Sequence, residues 1–397
     1  MSVSEKVKKG MELGSWIRRM FEEGIAMKKQ FGEENIYDLS LGNPVMEPPP
    51  EFKRELKRLA NHPYKGMHGY MVNAGYPETR AAVAAQLTKE TGIKLTENDI
   101  IMSVGAAGAI NVALKTILDP GDEVIVFIPW FVDYFNYIQN HDGVVKPLPT
   151  DEDFMPRLDV LEKNIGPRTK ALLINSPNNP TGVVYSADLM TKISDILRKK
   201  EKEYGTEIFL INDEPYKKII YDGVKYASPL NFHRHSIIAT SHSKDLSIAG
   251  ERIGYMALHP DCEQHDDMIK GFVFCTRVLG FINAPAFMQN VVTKIQDVTI
   301  PVSEYQRHRD FIYNNLVRMG YTVNKPQGAF YIFPRCPIED DVAFVHELQH
   351  EHHVLTVPGV AFGVHGYFRL VYCVDDALLE KSMPGLEKIA KKFGLMK

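Results

Sequence analysis

The chain is short of cysteine and has no excess of charge of either sign. Its four cysteines, Cys262, Cys275, Cys336 and Cys373, are scattered among 397 residues and form no Cys-x-x-Cys pair. This spacing argues against a disulfide framework and predicts reduced thiols in a cytoplasmic protein. Lysine and arginine number 46 and aspartate and glutamate 50, which gives a net charge of −4. A broad electrostatic surface for nucleic acid or for an anionic membrane is therefore excluded.

The sequence also has no long hydrophobic run. No stretch approaches the roughly 18 apolar residues that a helix needs to cross a bilayer. The N-terminal segment is charged and lacks the apolar centre of a signal peptide, so we expect a soluble protein. There is no internal repeat, low-complexity tract or flexible linker. The length allows two or three domains, and we expect these to share an interface, where small-molecule sites tend to lie.

Short apolar runs alternate with helical segments in the middle of the chain. Apolar strands separated by helices are typical of an α/β fold, in which helices cover both faces of a mainly parallel sheet. The predicted strands are 123–128, 171–175, 208–212, 236–241 and 252–258, and the predicted helices are 131–140, 157–164 and 186–203.

The two ends of the chain have a different order of predicted elements, in which short strands are followed by a terminal helix. This order favours a smaller α+β domain. The predicted elements are helices over 4–31, 289–319 and 339–352, and strands over 36–44, 354–357 and 367–373.

The most informative segment is 241–254, Ser-His-Ser-Lys-Asp-Leu-Ser-Ile-Ala-Gly-Glu-Arg-Ile-Gly. Lys244 is flanked there by hydroxyls and small or apolar residues, so it can be desolvated towards the neutral amine that attacks a carbonyl. Ser241, Ser243 and Arg252 offer hydroxyls and a guanidinium to a phosphate. A nucleophilic amine beside a phosphate site is the arrangement that pyridoxal phosphate requires. The alternative is a strand-end loop with an incidental lysine.

Small residues and an amide follow two other predicted strands. Gly105, Ala106 and Ala107 begin a helix, where backbone N–H groups can approach a phosphate, although close packing explains such a sequence equally well. Asn179 lies in the turn over 176–182, Ser-Pro-Asn-Asn-Pro-Thr-Gly. Its amide could donate to an oxyanion at the carboxyl edge of the sheet, or it could simply belong to a tight loop.

Asp213 ends the apolar strand predicted over 208–212, and Glu214, Pro215 and Tyr216 follow it. A carboxylate at the end of a buried strand is costly unless it meets a cation or a donor. Asp213 could therefore hold a protonated pyridine nitrogen, with Tyr216 close by. Acids at strand ends more often form turns, and that alternative stays open on these residues alone.

Taken together and in this order, these segments resemble the class I/II aminotransferases of pyridoxal phosphate fold type I. The match covers essentially the whole chain. The resemblance implies a large domain over 46–289 and a smaller α+β domain formed by both termini, 1–45 and 290–397. The motifs that carry it are Leu-Ser-Leu-Gly-Asn-Pro over 39–44, Asn-Asn-Pro-Thr-Gly over 178–182, Asn-Asp-Glu-Pro-Tyr over 212–216 and the Ser-x-Ser-Lys…Arg block over 241–252.

The resemblance also implies a role for each matching residue. Lys244 would bind pyridoxal 5'-phosphate covalently and then carry the substrate's proton, and Asp213 would face the pyridine nitrogen. Arg369, in Tyr-Phe-Arg-Leu, would bind the α-carboxylate of the substrate. Asn179 and Tyr216 would contact the phenolic oxygen, Phe131 the ring, and Gly42 and Asn179 the substrate. Tyr70 would contact the phosphate of a neighbouring subunit. The residues implied at the phosphate are Gly105, Ala106, Ala107, Ser241, Ser243 and Arg252.

The implied activity is transfer of an amino group between an L-amino acid and a 2-oxo acid by a ping-pong mechanism in a homodimer, with aspartate and 2-oxoglutarate as a candidate pair. Arg277 lies near the place of a second arginine in dicarboxylate-specific relatives, and it would bind a side-chain carboxylate across the dimer or else be a surface arginine.

The alternative activity is a carbon–sulfur β-lyase. Arg369 argues against decarboxylation, because it holds the α-carboxylate in place, but not against β-elimination. His242, Ala106 and Ala107 depart from the family pattern and leave the affinity for phosphate open.

One motif points elsewhere. The segment 346–350, His-Glu-Leu-Gln-His, matches the zinc-peptidase pattern His-Glu-x-x-His, which places both imidazoles on one helical face. His352 and His353 follow at once, and the candidate third ligand, His365, lies beyond a strand in a glycine-rich turn. We interpret the motif as a chance match and expect no catalytic metal.

Overall fold

The computed structural model describes residues 3–13 and 15–396. None of the described helices combines the length and the apolar character that crossing a bilayer requires. The helices are α1 Glu5–Leu13, α2 Ser15–Phe31, α3 Pro50–Asn61, α4 Pro77–Thr91, α5 Gly105–Ile117, α6 Asp133–Gln139, α7 Leu158–Asn164, α8 Ala187–Tyr204, α9 His242–Asp245, α10 His265–Val278, α11 Ala286–Val292, α12 Val302–Arg318, α13 Asp341–His352 and α14 Asp376–Lys392. The strands are β1 Tyr37–Asp38, β2 Ile100–Ser103, β3 Glu123–Ile128, β4 Val144–Pro149, β5 Thr169–Asn175, β6 Phe209–Asp213, β7 Ser236–Ser241, β8 Gly254–Leu258, β9 Tyr331–Ile332, β10 Val354–Leu355, β11 Val357–Pro358 and β12 Phe368–Val371.

A seven-stranded sheet in the order β2-β8-β7-β6-β5-β3-β4 forms the centre of the molecule. The pairs from β4 to β7 are parallel, and β8 runs antiparallel to β7 and β2. The predicted α/β fold with a mainly parallel sheet is therefore confirmed. The register aligns Asn175 with Asp213 and Asp213 with Ala239. The carboxyl ends of β5, β6 and β7 thus lie at one edge, where ligands bind in open parallel sheets.

Alternate residues of the central strands enter two different cores, because successive side chains point to opposite faces of a sheet. In β3, Val124 and Val126 belong to the core beneath α5 and α10, whereas Ile125 and Phe127 belong to the core beneath α8. Both faces of the sheet are covered, which explains why these strands are continuously apolar.

A further hydrophobic core joins the two ends of the chain. Met20 and Leu39 pack there with residues of α12, α13 and α14, and β1 pairs in parallel with β10. Strands β11, β12 and β9 form a small antiparallel sheet beside it. The smaller domain made from both termini stays a prediction, because Tyr216, Ile219 and Tyr221 of the predicted large domain also belong to this core. Val291, Val292 and Ile295 pack in the core around α3 and α4, so the packing favours a boundary after Ile295 over one at 289/290.

Several predicted elements differ from the structure. The strand predicted over 36–44 is limited to Tyr37–Asp38. The strand predicted over 354–357 is split into β10 and β11, because β10 pairs with β1 and β11 with β12. The single helix over 289–319 is wrong, because α11 ends at Val292 and α12 starts only after Pro301, whose ring and missing N–H interrupt a helix. The strand predicted from Arg252 begins at Gly254, since Arg252 has a φ of 52°, which no strand accommodates.

The helix predicted over 4–31 is described as two helices, and residue 14 between them lies outside the described residues. Met20 and Met27 of the predicted apolar face are buried, but Val7, Met11 and Ile25 are exposed. The spacing of the apolar residues therefore predicted the helical conformation but not a single buried stripe. The side chain of Trp16, which belonged to the same pattern, lies outside the described residues.

Candidate active site

A cavity of about 290 Å³ opens at the carboxyl edge of the sheet. It lies between the ends of β5, β6 and β7 and residues of the terminal segments, so it draws on both proposed domains. Most of the residues singled out in the sequence line this one cavity: Gly42, Ala106, Ala107, Phe131, Asn179, Asp213, Tyr216, Ser241, Ser243, Lys244, Arg252 and Arg369.

Lys244 lies in the short helix α9, directly after β7. Its Nζ donates a hydrogen bond to the carbonyl oxygen of Gly42 at 2.7 Å and lies 5.5 Å from the centre of the Phe330 ring. Burial, together with the nearby cations Arg369 and Arg252, lowers the pKa of Lys244 to about 8. A substantial fraction of the amine is thus neutral near pH 8, as nucleophilic attack or proton abstraction requires.

Asp213 closes β6 at the floor of the cavity. Its Oδ2 accepts a hydrogen bond from the Tyr134 hydroxyl at 2.6 Å, and its backbone oxygen accepts one from Asn175 Nδ2 at 2.7 Å. Its Oδ1 is buried and has no hydrogen-bond partner among the described residues. Burial raises the pKa of Asp213 to about 7. The carboxyl group therefore needs a donor from the cavity side, and a pyridinium N–H would supply it, so the site fits pyridoxal phosphate.

Arg369, on β12, is buried at the opposite wall. Its Nη1 donates to Asn179 Oδ1 at 2.9 Å and its Nη2 to the Ser40 carbonyl at 2.6 Å. The guanidinium lies against the rings of Tyr331 and Phe362, with Cζ 4.8 and 4.9 Å from their centres. Burial lowers the pKa of Arg369, but the group stays protonated because its normal pKa is so high. This rigid, stacked fork suits a carboxylate.

Tyr216 is held beside this fork. Its hydroxyl lies 2.7 Å from the Tyr331 hydroxyl, and burial raises the pKa of Tyr216 well above its usual value. The phenol is therefore a donor at neutral pH. Gly42 packs so closely on the Tyr331 hydroxyl that a Cβ would overlap it. A side chain at position 42 would thus displace Tyr331 from the cavity wall.

A candidate phosphate site lies where α5 begins. Arg252 donates from Nη1 to the Ala249 carbonyl and from Nη2 to the Val104 carbonyl, both at 3.0 Å, which fixes its guanidinium beside the helix start. Gly105 has a φ of 83°, and a Cβ there would come within 2.6 Å of Arg252 Nη2. Only glycine allows this approach without strain. The free N–H groups of the first turn and the guanidinium favour an anion at this place.

Tyr70 and Arg277 lie outside the cavity of their own chain. Tyr70 is 91% exposed. Arg277 is exposed near the end of α10, with its guanidinium 5.6 Å from the centre of the Phe274 ring. Both roles were predicted across a subunit interface, so they stay predictions. His242 lines no part of the cavity either, and its Nδ1 lies 3.3 Å from Asp245 Oδ2.

Sequence reasoning missed three residues of the site. Tyr134 donates to Asp213, Tyr331 contacts both Tyr216 and Arg369, and Asn175 binds the backbone of Asp213 and of Asn179. Asn175 had a usable signal, since it is a polar residue that closes an apolar strand. Tyr134 and Tyr331 had none, because each is an ordinary aromatic residue in an apolar run.

The His-Glu-x-x-His segment lies on α13, and none of its residues lines this cavity. The His346 and His350 rings stack with centres 5.3 Å apart, and Glu347 Oε1 lies 2.5 Å from Lys392 Nζ. Where the structure describes the chain, the groups of three side chains that could hold a metal ion lie elsewhere. The glutamate is engaged with a lysine, so nothing in its surroundings supports a role as a catalytic base.

Comparison with known proteins gives a consistent result. The profile of the aminotransferase class I and II family matches residues 34–384. A crystal structure of an aminotransferase from Eubacterium rectale is 36% identical and covers 99% of each chain with a TM-score of 0.94. A probable aspartate aminotransferase of Methanocaldococcus jannaschii is 32% identical over 361 residues, 89% of this chain and 92% of the relative. Aromatic-amino-acid aminotransferase 2 of Thermococcus litoralis is 32% identical, with 100% of both chains covered.

These matches confirm the resemblance found in the sequence and support a transaminase over a β-lyase. Members of this family use pyridoxal phosphate to move an amino group between an amino acid and a 2-oxo acid. The fold, the cofactor and the activity predicted for the chain agree with that assignment. The chain belongs to the aminotransferase class I and II family and is a pyridoxal phosphate-dependent transaminase of fold type I.

Proposed function

We propose that this transaminase carries out its chemistry with Lys244, Asp213, Tyr216 and Arg369, and that its amino donor is aspartate, with 2-oxoglutarate as the acceptor. One observation carries the assignment of the site. The part-buried Lys244 amine lines the same cavity as the Arg369 fork and Asp213, whose Oδ1 has no hydrogen-bond partner among the residues that the structure describes. A proton carrier, an electron-sink partner and a carboxylate binder are the groups that transamination needs from a protein.

Pyridoxal phosphate, when bound, supplies the carbonyl that takes up the amino group and the ring that takes up the electron pair left on the α-carbon. The chain's own residues do the rest. Arg369 binds the α-carboxylate and thereby fixes the position of the α-hydrogen. Lys244, with a pKa of about 8, would take that proton on Nζ and hold it for its return.

The other residues hold the cofactor in place. Asp213 would hold the ring nitrogen, and Asn179 and Tyr216 would donate to the phenolic oxygen. Arg252, Ser241, Ser243 and the N–H groups of the α5 start would hold the phosphate. Phe131 meets Tyr134 edge to face with ring centres 5.5 Å apart, and it would pack on the cofactor ring.

The choice of aspartate rests on charge and on the relatives. A probable aspartate aminotransferase is 32% identical to this chain. Within the described cavity lining, the cations Lys244, Arg252 and Arg369 each have a role already. A second substrate carboxylate therefore needs a cation from outside the chain, which is the role we propose for Arg277. An aromatic relative is equally similar, so phenylalanine is the matched competitor.

We also propose that the enzyme is a homodimer in which Tyr70 and Arg277 enter the neighbouring site. Val72, Phe274, Val278 and Ile282 are exposed apolar residues. The Asn73 side chain donates to the Ile282 carbonyl at 2.5 Å, which joins the two segments on one surface. Contiguous exposed apolar residues of this kind mark interaction surfaces.

Two experiments test these proposals. The holoenzyme is offered aspartate, phenylalanine, alanine and a cysteine conjugate, and formation of each 2-oxo acid is measured. Arg277→Ala should lower kcat/KM for aspartate by about 10- to 100-fold, the value of one charged hydrogen bond, and leave alanine unchanged. An equal loss for both substrates contradicts the role of Arg277, and pyruvate from the conjugate as the main product contradicts transamination.

Subunit mixing tests the dimer. Lys244→Ala and Tyr70→Ala chains are each nearly inactive by the proposal, the latter because its partner's phosphate is bound poorly. A hybrid of the two contains one site with both substitutions and one intact site. Unfolding and refolding the mixture should therefore restore about a quarter of the wild-type activity, since half of the dimers are hybrids with one good site. No recovery, with dimers present by light scattering, contradicts the exchange of Tyr70.

A further inference from the structure

A second polar cluster lies at the amino edge of the sheet, opposite the active site. His235 directly precedes β7, Glu207 precedes β6, and Glu263 follows β8 before α10 begins. Strand β7 separates His235 from Lys244, and its six residues at about 3.3 Å each place the two ends roughly 20 Å apart. The cluster therefore belongs to none of the chemistry described above.

One ring nitrogen of His235 is held by a carboxylate. His235 Nδ1 lies 2.5 Å from Glu201 Oε1, which also accepts the N–H of Ile208 at 3.0 Å. This oxygen receives a backbone N–H and faces the His235 ring nitrogen, so it serves as an acceptor. Glu201 is thus a carboxylate that only accepts, so Nδ1 of His235 carries the proton and donates it.

The other nitrogen, Nε2, is buried and has no hydrogen-bond partner within the described part of the chain. The His235 side chain is only 2% exposed. The ring also lies within reach of two carboxylates, because its ligand atom and those of Glu207 and Glu263 are all within 4.8 Å of one another. Since Nδ1 is engaged by Glu201, we assign Nε2 as the atom that faces them. A buried ring nitrogen that faces two carboxylates needs a proton or a metal cation between it and them.

We propose that His235 Nε2 and the carboxylates of Glu207 and Glu263 bind a Zn²⁺ ion. Imidazole and carboxylate are ligands that zinc accepts, and a histidine that binds metal usually donates its other N–H to a carboxylate, as His235 does to Glu201. Bonds of about 2.0–2.2 Å need ligand atoms about 3.4 Å apart in a tetrahedron. The two glutamate side chains close that gap by rotation, and water fills the fourth position.

The neighbouring groups restrict the ligand set. His233 Nε2 already donates to the Ile208 carbonyl at 3.0 Å, so the ion lies on the Nε2 side of His235. The Cys262 thiol donates to the backbone oxygen of Glu263 at 3.5 Å. Arg234 Nη2 lies 2.6 Å from Glu263 Oε1, and both side chains are about half exposed. Zinc would displace this surface ion pair at little cost.

The bound ion would tie the beginnings of β6 and β7 to the segment between β8 and α10. Zinc that binds the folded chain better than the unfolded chain stabilises it by mass action. The proposal therefore predicts one Zn²⁺ per chain and a higher unfolding temperature of the holoenzyme, with unchanged transaminase activity after free zinc has been removed.

The test uses chelator-treated, dialysed holoenzyme of the full chain. Calorimetric titration with ZnSO₄ should give one site in the wild type and none in Glu207→Gln/Glu263→Gln, and only the wild type should gain thermal stability. Co²⁺ gives a second readout, because its visible absorption changes when imidazole and carboxylate replace water. The matched control is His346→Ala/His350→Ala, which removes the competing pair of histidines on α13 and should leave the titration unchanged.

Two results would overturn the proposal. Zinc binding that survives in the carboxylate variant, or that disappears in the α13 variant, places the ion elsewhere. A wild type that takes up no zinc shows that these three side chains do not form a zinc site. His235→Gln, which keeps a donor towards Glu201, should behave like the carboxylate variant if it folds. The carboxylate variant itself decides the question, because its substitutions lie on partly exposed side chains.

Discussion

Two buried lysines, each close behind the end of a central strand, have opposite electrostatic surroundings. Lys244 follows β7 and has a pKa lowered to about 8. Lys217 follows β6, and burial would likewise lower its pKa, but Tyr255, Glu214 and Glu90 raise the pKa well above its usual value. Its Nζ lies 2.8 Å from Glu90 and 3.4 Å from Glu214, whereas Lys244 Nζ donates to a carbonyl oxygen and has no carboxylate partner among the described residues.

The comparison shows that burial alone does not make a reactive lysine. Both ammonium groups lose water, but Lys217 regains in ion pairs what it loses in hydration, and it stays charged. Around Lys244 the charged neighbours are Arg369 and Arg252, which disfavour the ammonium form. The site therefore keeps carboxylates away from its amine. The one acid in the lining, Asp213, is bound instead to Tyr134.

The largest effect should come from Lys244 itself. Lys244→Ala removes both the covalent attachment and the proton carrier, so kcat for aspartate should fall by more than about 10⁴-fold. The unfolding temperature should hardly change, because the amine has no ion pair to lose. Steady-state kinetics and calorimetry measure the two quantities. Full turnover by this variant would end the proposed assignment of the site.

Lys217→Met should reverse this pattern. It leaves Glu90 and Glu214 without their cation in a buried place, so the free energy of unfolding should fall by about 3–5 kcal/mol. The variant that folds should keep kcat within a few-fold, because Lys217 does not line the cavity. Urea unfolding measures the loss. The double variant Lys217→Met/Glu214→Gln should regain part of it, and failure to do so would show that the pairing is not what stabilises Lys217.

Asp213 extends the comparison to the acid of the cavity. Its pKa in the cofactor-free chain is about 7, against about 3.9 in an unfolded chain. A raised pKa means that the folded state binds the proton more tightly, so this contribution to stability is complete below pH 4 and is lost as the pH rises to 7. The Asp213→Asn variant has no carboxyl group to titrate at this position. Between pH 5 and 7 the free energy of unfolding of the cofactor-free variant should therefore rise relative to that of the wild type, by about 1.4 kcal/mol for each pH unit.

In the holoenzyme the same substitution should lower the transaminase activity. An amide cannot hold the pyridine nitrogen in its protonated form, so kcat should fall by about 10²- to 10³-fold. Urea unfolding of the cofactor-free chains at several pH values and kinetics of the loaded enzymes separate the two effects. Equal pH dependence of stability in the variant and the wild type would show that Asp213 titrates normally.

The sequence alone predicted the roles of some of these residues but not of others. Lys244, Asp213, Asn179 and Arg369 lie in motifs whose order along the chain predicts one site, and parallel strands bring their carboxyl ends together without further information. Lys217 could not be distinguished from Lys244 by burial or by position after a strand. Its main partner, Glu90, lies on α4, 127 residues earlier, and only the fold brings it close.

The dependence on contacts between distant segments also explains the other features that the sequence did not predict. Tyr134, Tyr331 and the cluster around His235 depend on contacts between distant segments, which periodicity does not report. The break between α11 and α12 was visible as Pro301, but the regular apolar spacing on both sides favoured one helix. Local signals thus predicted which elements form and which residues end them. The partners of each charge required the packed structure.

The smallest effect concerns the cations that surround Lys244. In the cofactor-free chain only the neutral amine attacks pyridoxal phosphate, so the rate of attachment should rise about tenfold for each pH unit below 8 and level off above it. Arg369→Gln removes one of the two cations that disfavour the ammonium, which should move this midpoint to higher pH by less than one unit. Stopped-flow absorbance after mixing with the cofactor gives both profiles. Arg369→Lys keeps the charge and should keep the midpoint, so a shift in both variants would mean that packing, and not charge, lowers the pKa of Lys244.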